Sequence, residues 1–294
     1  MTGNGSDRLN TPWDARLDYS RTLYVADRNN HRVQKFLMNS PIGLTVAGQA
    51  DGTWNSTATH LNNPSRILID TNENIYVTDS GNCRIQLWNK TTSSGTTIAG
   101  GCGMANNQFA LPYGIARDFR VGTLYIADYS TNRVMSYLQG TLSGNVVAGG
   151  NGNGPNITQL SNPVGLYFDS LSNSLVIVNH VCGNIVRWIL GANSWTLIAG
   201  NMNCTPGNTS TSLVRPTDLT FDPMGNMYVA DRNNHRIQLF MIGQTEGITI
   251  AGNNEIRGNT SLLFDRPWSV ELDNQLNLYV ADSNNHRIQK FLRY

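Results

Sequence analysis

Charge is scarce in this chain. Charged residues are 14% of 294, well under the roughly 25% of an average soluble protein. Lys and Arg number 21 against 20 Asp and Glu, a net charge of +1, so no global field draws the molecule to nucleic acid or to an anionic membrane. No apolar run approaches the ~20 residues of a membrane span. Met1-Thr2-Gly3 runs straight toward the first Pro-led segment, so no signal segment is expected within these residues. There is no Gly-x-Ser-x-Gly nucleophile elbow, and the five histidines are scattered. Asparagine is abundant instead, with 37 copies, so amides wet the surface in place of charges.

A repeat organises the chain. The stretch Tyr-Val-Ala-Asp-Arg-Asn-Asn-His-Arg-Ile-Gln-Leu-Phe runs from Tyr228 to Phe240. It returns nearly unchanged at Tyr24–Phe36 and Tyr279–Phe291, and in weaker form at Tyr76–Trp88 and Tyr125–Tyr137. A sixth copy, Val176–Trp188, keeps only the apolar pattern. The fourth residues are Asp27, Asp79, Asp128, Asn179, Asp231 and Asp282, in steps of 52, 49, 51, 52 and 51 residues. So regular a period means an array of one supersecondary unit, with no place for a domain boundary between residues 1 and 294.

Each unit opens on a proline, at 12, 64, 112, 163, 216 and 267, and reaches an aspartate six residues later. Proline suits the first position of a strand, and Asp starts turns by accepting from the backbone two residues on. The residues between them read as strand a, Tyr-Val-Ala-Asp as strand b, and Arg-Ile-Gln-Leu-Phe as strand c. Segments ending in Ala-Gly at 48, 100, 149, 200 and 252 read as strand d. Four short antiparallel strands per ~50 residues make a blade, and six blades closed into a ring make an all-β six-bladed propeller. A leucine-rich horseshoe would need a shorter period of roughly 20–29 residues. The last unit stops after strand c, so the sixth blade is expected to be incomplete, or closed by Met1-Thr2-Gly3 as the tail of its strand d.

The Asp-x-x-Asn-His-Arg-[Ile/Val]-Gln-x-Phe core, with the Pro-led strand a and the terminal Thr-Ile-Ala-Gly, resembles the NHL-repeat family of six-bladed β-propellers. The resemblance covers essentially the whole chain and implies the fold. For function it implies several unlike possibilities: RNA-binding domains of ubiquitin-ligase-type proteins, extracellular adhesion or sensor domains, and the peptide-amidating lyase. That lyase holds zinc through histidines near the starts of its innermost strands. Here no His follows any of the six prolines, so the zinc site does not carry over, and neither catalysis nor a metal or other cofactor is expected.

The repeated acids and bases read as structural pairs: Asp27 with Arg32, Asp79 with Arg84, Asp128 with Arg133, Asp231 with Arg236, and Asp282 with Arg287. Each pair flanks one b–c hairpin, where a charge-assisted bond would pin the strands. The copy with Asn179 and Asn184 must be held otherwise. Cysteines occupy similar places in two blades, one in the b–c hairpin and one after strand d, regions that emerge on the same face. Disulfides Cys83–Cys102 and Cys182–Cys204 are therefore expected, against the alternative of free thiols or a metal site. Oxidised cysteines imply an extracellular or secretory compartment. Seven Asn-x-Ser/Thr triplets are consistent with that, although an Asn-rich chain produces them by chance.

The d–a loops vary most in length, which marks their face as the binding face. Just after the prolines stand Trp13, Asp14, Arg66, Tyr113, Asp218 and Trp268, expected to form an aromatic and charged channel mouth. Rim residues of this kind are expected to be less buried than core side chains. Arg28 and Arg232 follow the strand-b Asp in two blades, but Ser80, Tyr129, His180 and Ser283 break the basic stripe an RNA-binding face would need. The expectation is a non-catalytic extracellular module that recognises a protein or glycan.

Overall fold

The computed structural model describes all residues except Met1, Asn39 and Tyr294. Five four-stranded antiparallel sheets and one three-stranded sheet stand around an axis. Blade 1 shows the pattern, with strand a at Pro12–Leu17, b at Leu23–Asp27, c at Arg32–Phe36 and d at Leu44–Gly48. The other inner strands are Pro64–Ile69, Pro112–Arg117, Pro163–Asp169, Asp218–Phe221 and Pro267–Leu272. Each touches the next, and the last touches the first, which closes the ring. In blade 5 the strand begins two residues after its proline; there the Thr217 N–H still donates to the Ala230 carbonyl.

The first turn works as its sequence implies. Asp18, Asp70, Asp222 and Asp273 each accept from the backbone N–H groups two and four residues on, which fixes the a–b hairpin. Both sides of a blade are apolar because neighbouring blades stack on them: Tyr125 of blade 3 stacks on Phe168 of blade 4, with ring centroids 5.1 Å apart.

The second turn is more elaborate than an Asn/Gly-rich reversal. In five blades three residues after the Asp form a 3₁₀ turn. The next residue, His31, Cys83, Asn132, Gly183, His235 or His286, has φ between 53° and 66° in all six. The Asp carboxylate holds the turn shut. Asp231 accepts from Val214 N–H (2.8 Å), Asn234 Nδ2 (2.7 Å) and Arg236 Nε (2.9 Å), and Asp27, Asp79 and Asp282 repeat the scheme. Asp128 uses Thr131 Oγ1 at 2.6 Å, and its guanidinium partner Arg133 stands back at 3.6 Å. The arginine then reaches over the preceding loop: Arg236 donates to the carbonyls of Asn208, Thr209 and Ser212. In blade 4 an amide pair replaces the ion pair, with Asn179 accepting from Ser161 N–H and donating to Asn184 Oδ1 at 3.0 Å.

The histidines join one blade to the next. Nδ1 of His31 accepts from Asn63 N–H, Nδ1 of His235 from Arg266 N–H, and Nδ1 of His286 from Thr11 N–H, at 3.0, 3.2 and 3.0 Å. Asn132 Oδ1 does the same for Asn162 N–H. Where blade 2 has Cys83 at this position, a disulfide ties it instead to Cys102, just after strand d of the same blade, and Cys182 is joined likewise to Cys204 in blade 4. Loops of 19 and 22 residues are each worth ~3 kcal/mol by chain entropy.

The sixth blade has three strands, and Arg287–Phe291 is its edge. Met1 lies outside the described residues, but the reading of Thr2-Gly3 as the tail of a strand d is corrected: they form no strand. The Gly3 carbonyl instead accepts from Asn30 Nδ2, the role that Asn55, Gly207 and Gly258 play toward Asn82, Asn234 and Asn285. Gly3 therefore matches the middle of a d–a loop rather than the end of a strand d.

Two outcomes test these contacts. Asp231→Ala should cost about 3 kcal/mol by stranding Arg236, and the double change D231N/R236N, which copies blade 4, should unfold at higher denaturant than either single change. The second concerns closure. His286→Ala should cost about 1–2 kcal/mol, and His286→Asn, which copies Asn132, less. Burial holds the His286 imidazole below its ordinary 6.5; the unfolded chain then binds more protons, so its contribution is full above ~6.5 and is lost as pH falls through the folded value. The stability margin of wild type over H286N should accordingly shrink below pH 6.5 in parallel denaturant titrations.

Candidate functional site

Strand a begins on the face that carries the d–a loops and b–c hairpins, called here the loop face, and ends on the opposite, turn face. The residues after the six prolines therefore stand where the channel opens on the loop face. Ring closure brings Trp13 and Trp268 together from opposite ends of the chain, stacked with centroids 3.6 Å apart and 13° between planes. Tyr113 meets Trp13 edge-on at 5.3 Å, Tyr129 packs on Tyr113 at 5.0 Å, and His180 stands 6.2 Å from both Tyr129 and Trp268. Five aromatic rings thus form a closed annulus. Ser65 and Ser80 of blade 2, bonded to each other at 2.7 Å, are small enough to let Tyr113 reach past them.

The expectation of lightly buried rim residues is corrected. Trp13 is 9% and Trp268 6% exposed, as buried as core side chains. Two guanidiniums cover them, Arg28 at 3.9 Å from the Trp13 centroid and Arg232 at 4.9 Å from that of Trp268. Neither arginine has a carboxylate within 4.0 Å among the described residues, and the Nε of each is buried without a partner. Burial lowers Arg28 and brings Arg232 down to about 10, with Arg266 and Arg215 adding repulsion. His180 is pushed down to about 4 by burial, so it is neutral at pH 7, and its Nδ1–H donates to the Pro216 carbonyl.

Asp14, Arg66 and Asp218, expected beside the indoles, are brought together in the channel interior rather than at its mouth. All three are buried. Arg66 pairs with Asp14 at 3.1 Å and with Asp218, and donates to the Thr217 carbonyl. Arg16 pairs with Asp14, Asp218 and Glu271. The carboxylates also accept across blades, Asp14 from Ile67 N–H and Asp218 from Val270 N–H. These residues take the Pro+2 place where Gly114 and Gly165 let neighbouring backbones approach; a Cβ on Gly114 would lie 2.4 Å from the Val164 carbonyl. Five residues from the inner strands of four blades thus plug the channel with ions instead of close backbone packing.

Sequence reasoning missed Arg16 and Glu271. Their signal was readable: both stand four residues after a proline, where the other blades have Leu68, Ala116, Tyr167 and Thr220, and closure makes their blades neighbours.

The NHL repeat family matches at residues 9–36, 61–87, 213–240 and 264–291. The chain carries NHL repeats. Those four segments hold the blades with an intact Asp-x-x-Asn-[His/Cys]-Arg turn. No curated protein sequence matches the chain. Among solved structures it is similar to an auxiliary nutrient binding protein from Bacteroides thetaiotaomicron, at 16% identity and TM-score 0.73 over 96% of this chain and 69% of that one. A gluconolactonase from Xanthomonas campestris matches at 12% and 0.67, over 95% and 85%. Virginiamycin B lyase from Staphylococcus aureus matches at 12% and 0.59, over 99% and 87%. Identities this low show a shared fold.

The annulus makes a stability prediction. Trp13→Ala and Trp268→Ala should each cost about 3–5 kcal/mol, as core aromatics do, and the double change less than the sum, because each indole is the other's stacking partner. Denaturant unfolding of the three variants measures the coupling.

Proposed function

We propose that the protein is a non-catalytic recognition propeller, extracellular or in the secretory pathway, that engages a protein or glycan partner on its loop face. The observation that carries this reading is the pair of half-buried guanidiniums over stacked indoles. A guanidinium with no carboxylate partner and an unmet N–H retains its capacity to bind an acceptor from outside, and the buried aromatic floor holds both cations in place at the loop face by cation–π contact. Trp13, Tyr113 and Trp268 then supply the floor, while Asp14, Arg66 and Asp218 hold it from below. The two disulfides support an oxidising compartment, and the nutrient-binding protein of similar fold supports a binding role. The three repeat histidines serve backbone N–H groups of the next blade, which leaves them poorly suited to the lyase's zinc chemistry.

A second reading, RNA recognition, draws on the cations Arg28, Arg215, Arg232 and Arg266. The test separates the two. On an array of neutral and acidic glycans, and in partner capture from extracellular fluid, the wild type should give saturable binding that R28A/R232A loses about tenfold or more, two charge-assisted contacts being worth at least that. Retention on poly-U resin that falls steeply with salt, with none on the other probes, would overturn the extracellular reading in favour of RNA.

A further inference from the structure

The channel has a second end. On the turn face the inner strands part around a cavity of about 490 Å³, within the size range of small-molecule sites. Its walls come from strand-a ends of successive blades, chiefly Leu17, Ile67, Ile69, Ile115, Leu166 and Tyr167, and its floor is the underside of the ion plug, Arg16 and Glu271. The annulus and the plug separate this cavity from the loop face.

The plug is not neutral. Asp14, Asp218 and Glu271 face only Arg16 and Arg66, an excess of one negative charge. The remaining ions at the rim balance in pairs, Arg117 with Asp70 at 3.5 Å and Arg120 with Asp118 at 3.0 Å. Within the plug the two aspartates also accept backbone N–H groups. Glu271 does not. Its Oε2 accepts from Arg16, and its Oε1 has no partner among the described residues, on a side chain 20% exposed that lines the cavity. The excess charge therefore has an outlet on the cavity floor, beneath apolar and aromatic walls.

We propose that the turn-face cavity is a second ligand site that takes a cationic amphiphile, its ammonium set on the free oxygen of Glu271 and its apolar body along Leu17, Ile69 and Tyr167. An ammonium there would complete the charge balance of the plug at a carboxylate only 20% exposed, where an ionic contact is worth more than at the open surface. The apolar walls supply the remaining affinity and exclude fully hydrated cations such as sodium, which would have to shed water against hydrocarbon. Burial raises Glu271 above its ordinary carboxyl value, with Arg16 opposing, the direction expected of a carboxylate short of compensating charge. The site stands independently of the loop-face reading.

Phenethylammonium chloride and its neutral counterpart 2-phenylethanol are suitable probes, titrated calorimetrically into the whole protein at pH 7. The ammonium should bind saturably at one site, about tenfold or more tighter than the alcohol. Glu271→Gln should remove that preference, bringing the amine down to the level of the alcohol. Because E271Q could also disturb the plug, Tyr167→Ala provides a second variant: it leaves every ion in place and should weaken both probes about equally. R28A/R232A should bind the amine as wild type does, so failure of the loop-face reading leaves this result untouched. Absence of saturable amine binding, equal affinity for amine and alcohol, or an amine affinity unchanged in folded E271Q would each overturn the proposal.

Discussion

A buried carboxylate at the end of strand b sets most of this structure. Removed from water, Asp27, Asp79, Asp231 and Asp282 must each find several donors, and they take a backbone N–H from the d–a loop, an amide from the 3₁₀ turn and an Arg Nε from strand c. One side chain thus ties three parts of a blade together. The arginine it orients spends its remaining N–H groups on carbonyls of the same loop. That loop leads into the proline, so the carboxylate places the residues that follow, at the channel mouth.

The blades are then joined by contacts of a different kind. The left-handed residue after the 3₁₀ turn projects sideways, and histidine or asparagine there reaches the next blade, whereas cysteine is bonded just after strand d of its own blade. Further in, Asp14, Asp218 and Ser269 accept backbone N–H groups from neighbouring inner strands. The ion plug serves this joining as well as filling the channel. It leaves the molecule with two chemically unlike ends: a cationic, aromatic loop face and an apolar recess with an anionic floor.

Much of the architecture is legible in the sequence. Six registered copies give the number of blades, the period gives four strands each, the Asp–Arg pairs follow from positions within the hairpin, and both disulfides from matched positions in the hairpin and after strand d. The repeated His was legible only as structural; its Nδ1 bond crosses to another blade, and nothing local in the sequence points there. The site is less legible. Trp13 and Trp268 were placed together, but as a lightly covered rim, whereas Arg28 and Arg232 fold over them. Asp14, Arg66 and Asp218 were placed with them and instead form the plug below.

What the sequence determined by itself is whatever depends on neighbours within about 50 residues: strand boundaries, turn types, and the pairing of each Asp with its Arg. These are short-range contacts, and a repeat states them several times over. Tertiary structure decided everything that depends on closure. Trp13 meets Trp268, and Arg16 meets Glu271, only because the sixth inner strand lies against the first. A repeat fixes the step from one blade to the next, but which charges converge on the axis, and whether they balance, depends on side chains from several distant blades at once.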